Sequence, residues 1–230
     1  MLKSRLLNAL ALLLAMPSAF AGNSATTPVP GTGERWIARN DAMNTRAREG
    51  KAVWDHYYAH RNALSLGISG DRTEHVLWRL THGNIDGISP RLAIVMIGQN
   101  NGPYNTGDEI GEGVGAIVKL LRERLSETKI LLLAIFQRRE HPTEERAVLD
   151  RANAIASELA DNRMIFYMDI NHLFLRPDGS IPSELMPDFE HPNAEGHRIW
   201  AEAIEPKVAA LMGDAPVDPM PPFSPERPDL

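Results

Sequence analysis

Between residues 62 and 212 the chain alternates short apolar runs with longer stretches in which apolar residues recur every three or four positions. Residues 62–69 alternate apolar and polar. Residues 92–97, 129–136 and 164–170 are nearly continuous apolar runs, the pattern of strands buried on both faces. Helical spacing predicts helices over 74–80 (Val76, Leu77, Leu80), 108–125 (Ile110, Val114, Ile117, Val118, Leu121, Leu125), 143–160 and 193–212 (Ile199, Trp200, Ala203, Ile204, Val208, Leu211). Residues 35–54 read as a polar helix without a strong face. Strands alternating with helices of this length need crossover connections, so the fold class is α/β: a parallel sheet with helices on both faces in three layers. In such sheets ligands bind beyond the carboxyl ends of the strands, which singles out the loops after 69, 97 and 136 and the one around 188.

The first 21 residues follow a different pattern. Lys3 and Arg5 precede an apolar run from Leu6 to Met16, and Ala19-Phe20-Ala21 offers small residues where a signal peptidase cuts. The expectation is a signal peptide over 1–21 and a secreted or periplasmic protein, with no stable membrane span after cleavage. Residues 22–34, rich in Gly, Ser, Thr and Pro, read as a flexible linker. Residues 35–213 form one domain, and the proline-rich tail 214–230 is expected to be disordered or loosely draped. With 24 basic against 30 acidic residues and a net charge of -6, nucleic acid is excluded as a partner. The absence of cysteine rules out disulfides and a thiol nucleophile.

Chemistry concentrates at the predicted strand ends. Asp188 and His191 sit in one short loop before the last helix, a spacing that lets a carboxylate orient the histidine that takes a proton. Gly70 and Asn100 follow the first two strands, and a bare backbone N–H with a side-chain amide are donors suited to an oxyanion. His56 and His60, four apart, have metal-ligand spacing but no third ligand, and read as two surface histidines.

Taken together, Gly67-Ile68-Ser69-Gly70-Asp71-Arg72-Thr73-Glu74-His75, Ile97-Gly98-Gln99-Asn100-Asn101, the run 131–136 and Met186-Pro187-Asp188-Phe189-Glu190-His191 resemble the SGNH (GDSL-type) hydrolases. Within them the resemblance is to the branch holding the platelet-activating-factor acetylhydrolase catalytic subunits. It implies a flavodoxin-like sheet and hydrolysis of an acyl or acetyl ester of a lipid or carbohydrate, a small-molecule substrate, without metal or other cofactor. It also implies Asp188 and His191 as catalytic residues and Gly70 and Asn100 as the oxyanion hole.

The nucleophile does not map. The resemblance places it in a Gly-Asp-Ser segment ending the first, central strand, and no such tripeptide occurs. No apolar run lies between Trp36 and Val53, so that strand is expected to be missing too. Ser69, beside Gly70, is the substitute considered. Two other readings stand beside the esterase: an exported ligand-binding pseudoenzyme, and a deleted version of an active enzyme. With no serine to activate, the expectation is weak ester turnover, little changed by His191→Ala, and no serine labelled by a fluorophosphonate.

Overall fold

In a computed structural model the described residues are 10–14 (backbone), 25 and 50–223. The helix expected over 35–54 is therefore described from residue 50 onward; residues 35–49 lie outside. Five strands form one parallel sheet: β1 Leu10–Leu14, β2 Leu64–Ser65, β3 Leu92–Met96, β4 Lys129–Leu133 and β5 Ile165–Met168. Their order is β2-β1-β3-β4-β5. The helices are α1 (50–57), α2 Thr73–Thr81, α3 Gly107–Arg124, α4 Glu144–Ser157 and α5 Ala194–Met212.

The alternation predicted between 92 and 212 is what the chain adopts, and its two-residue period sorts the core. On β3, Leu92, Ile94 and Met96 face α1 and α5, where they meet Val53, Tyr57, Trp200, Ile204 and Val208. Val95 and Ile97 face the other way, against Val76 and Leu80 of α2 and Val114, Ile117 and Leu121 of α3. The sheet is thus covered on both sides, which is why its strands are apolar throughout. The sequence expectation over 62–69 shrinks to a two-residue strand, because Leu64 and Ser65 are exposed at the sheet edge with β1 as their partner.

The expected absence of a central strand is corrected. Leu10–Leu14, from the run read as a signal core, occupies the position between β2 and β3, with Leu10 opposite Leu92 and Ala11 opposite both Ala93 and Leu64. An apolar run carries no period that separates a signal core from a strand buried on both faces. Ala25, the one described residue in the stretch read as a flexible linker, is fully buried. Over 214–223 the tail is draped rather than disordered. Asp218 O accepts from His56 Nε2 at 2.8 Å, Val217 N–H donates to Glu205 at 2.8 Å, and Met220 N–H donates to the Tyr57 hydroxyl at 2.9 Å.

Candidate active site

The strand order reverses direction at β1, and a crevice at such a reversal is where α/β sheets bind ligands. The loops after β2 and β3 meet at its carboxyl end. After β2 the chain turns through Gly70, whose φ of 81° suits glycine. Asp71, buried beside it, is ion-paired with Arg79 of α2. Arg79 also donates to Leu66 O at 2.7 Å and Asn84 Oδ1 at 2.9 Å, so one guanidinium pins both ends of the loop.

After β3 the turn is made by Gly98 at φ 120°, where an added Cβ would lie 2.7 Å from Ile110 and 2.8 Å from Ile135. Glycine there brings the buried 3-10 turn Gln99–Asn101 against the Gly70 loop. Asn100 Nδ2 donates to Asp71 O at 2.8 Å. An amide nitrogen has two hydrogens, so this bond fixes the amide's orientation and leaves a second N–H for another acceptor. Asn101 holds the start of α2, accepting from Thr73 N–H at 3.0 Å and donating to Glu74 at 3.1 Å.

Asp188 and His191 form the second pair. Asp188 Oδ1 accepts the backbone N–H of His191 at 2.7 Å and of Glu190 at 3.1 Å, while Oδ2 faces His191 Nδ1 at 2.5 Å. Burial opposes ionisation of Asp188, but these donors together hold its carboxyl below the usual range. With Nδ1 held by the carboxylate, Nε2 is the ring atom left to act, and it is buried with no hydrogen-bond partner among the described residues. Phe189, between the two, takes a left-handed φ of 57°. His197, one turn into α5, is pushed down to about 4 by burial and by the nearby His191.

The two pairs are joined through the loop after β4. Gln99 Nε2 donates to Phe136 O at 3.2 Å, and two residues on, Arg138 meets Glu190 at 3.0 Å and Glu145 at 3.1 Å. Burial pushes the Glu190 carboxyl up, against the pull of Arg138. Asn100 thus touches the residue after Gly70, and Arg138 ties the loop after β4 to the residue beside His191. Ser69 is partly buried next to Gly70. The sequence reading missed Arg138 and Glu190, since a lone charge in a loop gives no sign that it will be buried against its opposite. His56 holds the tail, and among the described residues no cluster of His, Cys, Asp or Glu is arranged for a metal.

The GDSL-like lipase/acylhydrolase family model matches residues 20–199. The alpha2 subunit of platelet-activating factor acetylhydrolase IB from Rattus norvegicus is 32% identical over 165 residues, 71% of this chain and 72% of that one. Among solved structures, a GDSL-like lipase from Bacteroides thetaiotaomicron matches with a TM-score of 0.62 at 15% identity, over 88% of each chain. An acetyl-xylooligosaccharide esterase mutant from Geobacillus gives 0.58 at 16%, over 91% of this chain and 96% of that one. The sequence matches and the shared fold lead to one assignment: this chain belongs to the GDSL-like lipase/acylhydrolase family.

Proposed function

We propose that the protein is a serine ester hydrolase that removes short acyl groups, acetyl above all, from a lipid or carbohydrate alcohol. The observation that carries the reading is the state of His191. Its Nδ1 is held by Asp188 and its Nε2 is buried with no partner among the described residues, the arrangement of a general base awaiting an alcohol. Asp188 fixes the tautomer and stabilises the imidazolium that forms when Nε2 takes a proton. The Gly70 N–H and the remaining Asn100 N–H are the donors for the carbonyl oxygen as it gains charge. Acetyl is favoured by the relatives whose names specify acetyl substrates, an acetylhydrolase subunit and an acetyl esterase.

The test is turnover of nitrophenyl acetate, butyrate and octanoate by the purified full chain, set against His191→Ala and Asp188→Asn. Loss of at least ~10³ in kcat for His191→Ala and a preference for acetate support the reading. Equal rates for the full chain and His191→Ala reject the enzyme and leave a ligand-binding protein with the same fold.

A further inference from the structure

After α5 the chain turns at Gly213, φ 73°, and residues 214–223 carry four prolines. Along this tail burial repeats at every third position: Asp214, Val217, Met220 and Phe223 are half-buried, and the residues between them are exposed. A period of three fits neither a strand, whose faces alternate every two residues, nor an α-helix at 3.6. It is the period of a polyproline II helix. Val217, Met220 and Phe223 pack against the core cluster that α1 and α5 share with the sheet.

The same three residues are also held by their backbone. Val217 N–H donates to Glu205 Oε1 at 2.8 Å, Met220 N–H to the Tyr57 hydroxyl at 2.9 Å and Phe223 N–H to Glu195 Oε2 at 3.3 Å. A polyproline II segment makes no internal hydrogen bonds, so its donors must be satisfied by side chains or water. The lengths agree as well. Glu195 and Glu205 lie ten residues apart on α5, about 15 Å at 1.5 Å per residue, and polyproline II from Val217 to Phe223 spans about 19 Å at 3.1 Å per residue. The tail therefore runs back along α5, with Tyr57 of α1 taking the middle anchor. Arg61 Nε fixes its start by donating to Asp214 at 3.1 Å.

We propose that the face shared by α1 and α5 is a peptide-reading site, specific for a polyproline II segment with an apolar residue at every third position. Its resident ligand is this chain's own tail. Tyr57, Glu195 and Glu205 read the main chain and so fix the register, while the apolar seats beneath select the side chains. The site recognises chemistry rather than connectivity, so a separate peptide with the same three anchors binds it once the tail is displaced. This holds whether or not the chain hydrolyses esters, because Gly70, Asn100, Asp188 and His191 take no part in it.

Hydrogen exchange in the full chain reads the register directly. The amides of Val217, Met220 and Phe223 should exchange at least ~10-fold more slowly than those of Ala215 and Asp218, and Tyr57→Phe should bring Met220 towards the Asp218 rate. Uniformly fast exchange over 215–223 overturns the site. A second measurement replaces the three anchors in the full chain together (V217S, M220S and F223S), checks the fold by melting temperature, and adds a fluorescent peptide of residues 214–223. Saturable binding at least ~10-fold tighter than to the natural chain is expected, since there the attached tail occupies the face at high effective concentration. A peptide of the same composition with its anchors moved by one position should not bind. Equal binding of the two peptides, or binding of neither, overturns the reading. Protection that disappears on dilution, with a concentration-dependent dimer in sedimentation, seats the tail on a second copy and overturns its assignment to its own chain.

Discussion

Arg138 and Glu190 face each other at 3.0 Å with side chains 6% and 13% exposed, joining the loop after β4 to the residue next to His191. The salt bridge braces a segment whose backbone at Phe189 is in the left-handed region, a conformation that costs a non-glycine residue on the order of 1 kcal/mol or more. Replacing Arg138 by Ala leaves the mostly buried Glu190 carboxylate without its partner and takes one of two from Glu145, which keeps Arg139. A loss of about 3–5 kcal/mol in urea unfolding is expected, because breaking a buried pair leaves an uncompensated charge. Glu190→Gln removes the charge but keeps an acceptor, and should reduce kcat with less than ~2 kcal/mol lost in stability.

A second buried pair makes a sharper comparison. Arg61 meets Glu205 through two bonds, at 2.7 and 2.8 Å, with side chains 1% and 4% exposed. Glu205→Ala should cost about 3–5 kcal/mol, whereas Arg61→Leu with Glu205→Leu should unfold within ~2 kcal/mol of the natural chain, since an apolar replacement removes both desolvation costs. Chemical denaturation of the single and double variants measures the difference.

Gly113→Ala tests the seat of Ala25. The new methyl enters the space shared by Thr73 Oγ1 and the Ala25 carbonyl, and overpacking of this kind typically costs about 1–3 kcal/mol. Turnover should fall by more than tenfold, because Thr73 opens α2 three residues after Gly70 and its N–H is held by Asn101 beside Asn100. Gly115→Ala on the same helix, where the nearest atom would be 3.8 Å away, should leave both stability and turnover near their starting values.

Acid should weaken the fold through two groups. His197 is neutral in the folded state because burial pushes its pKa down to about 4, below the ~6.5 of an unfolded chain. The unfolded chain therefore binds more protons between those values, and the stability His197 contributes is full above pH ~6.5 and lost as pH falls towards about 4. Asp188, with its carboxyl held low, contributes stability that is full above ~3.9 and lost as pH falls through its lower folded value. Melting temperature should drop in the first window for the natural chain and stay flatter for His197→Gln.

Much of the architecture was legible because burial on both faces writes a simple code. The runs at 92–97 and 129–136, and the helical stripe from Ile110 to Leu121, name their own elements. Asp188 and His191 were visible because a loop places them three residues apart, and that short loop is also what brings carboxylate and ring together. The Asn100–Asp71 bond was not visible, since it depends on two loops meeting at a strand end. Nor was Ala25, whose partner Thr73 is 48 residues away along the chain. The Leu10–Leu14 strand was hidden for another reason: its composition satisfies two readings equally well.

Those two readings compete for the same five residues. If a peptidase cuts after Ala21, the pairings of β1 with both Leu92–Met96 and Leu64–Ser65 leave with the cleaved piece, and β2 and β3 lose the strand that joins them. If an exporter engaged residues 10–14 it would need them unfolded, whereas the sheet needs them captured, so one use would exclude the other in any one molecule. N-terminal sequencing of active and inactive fractions from one expression should show the outcome. Residues 10–14 should be present in the active fraction, and chains beginning at Gly22 should be protease-sensitive and inert.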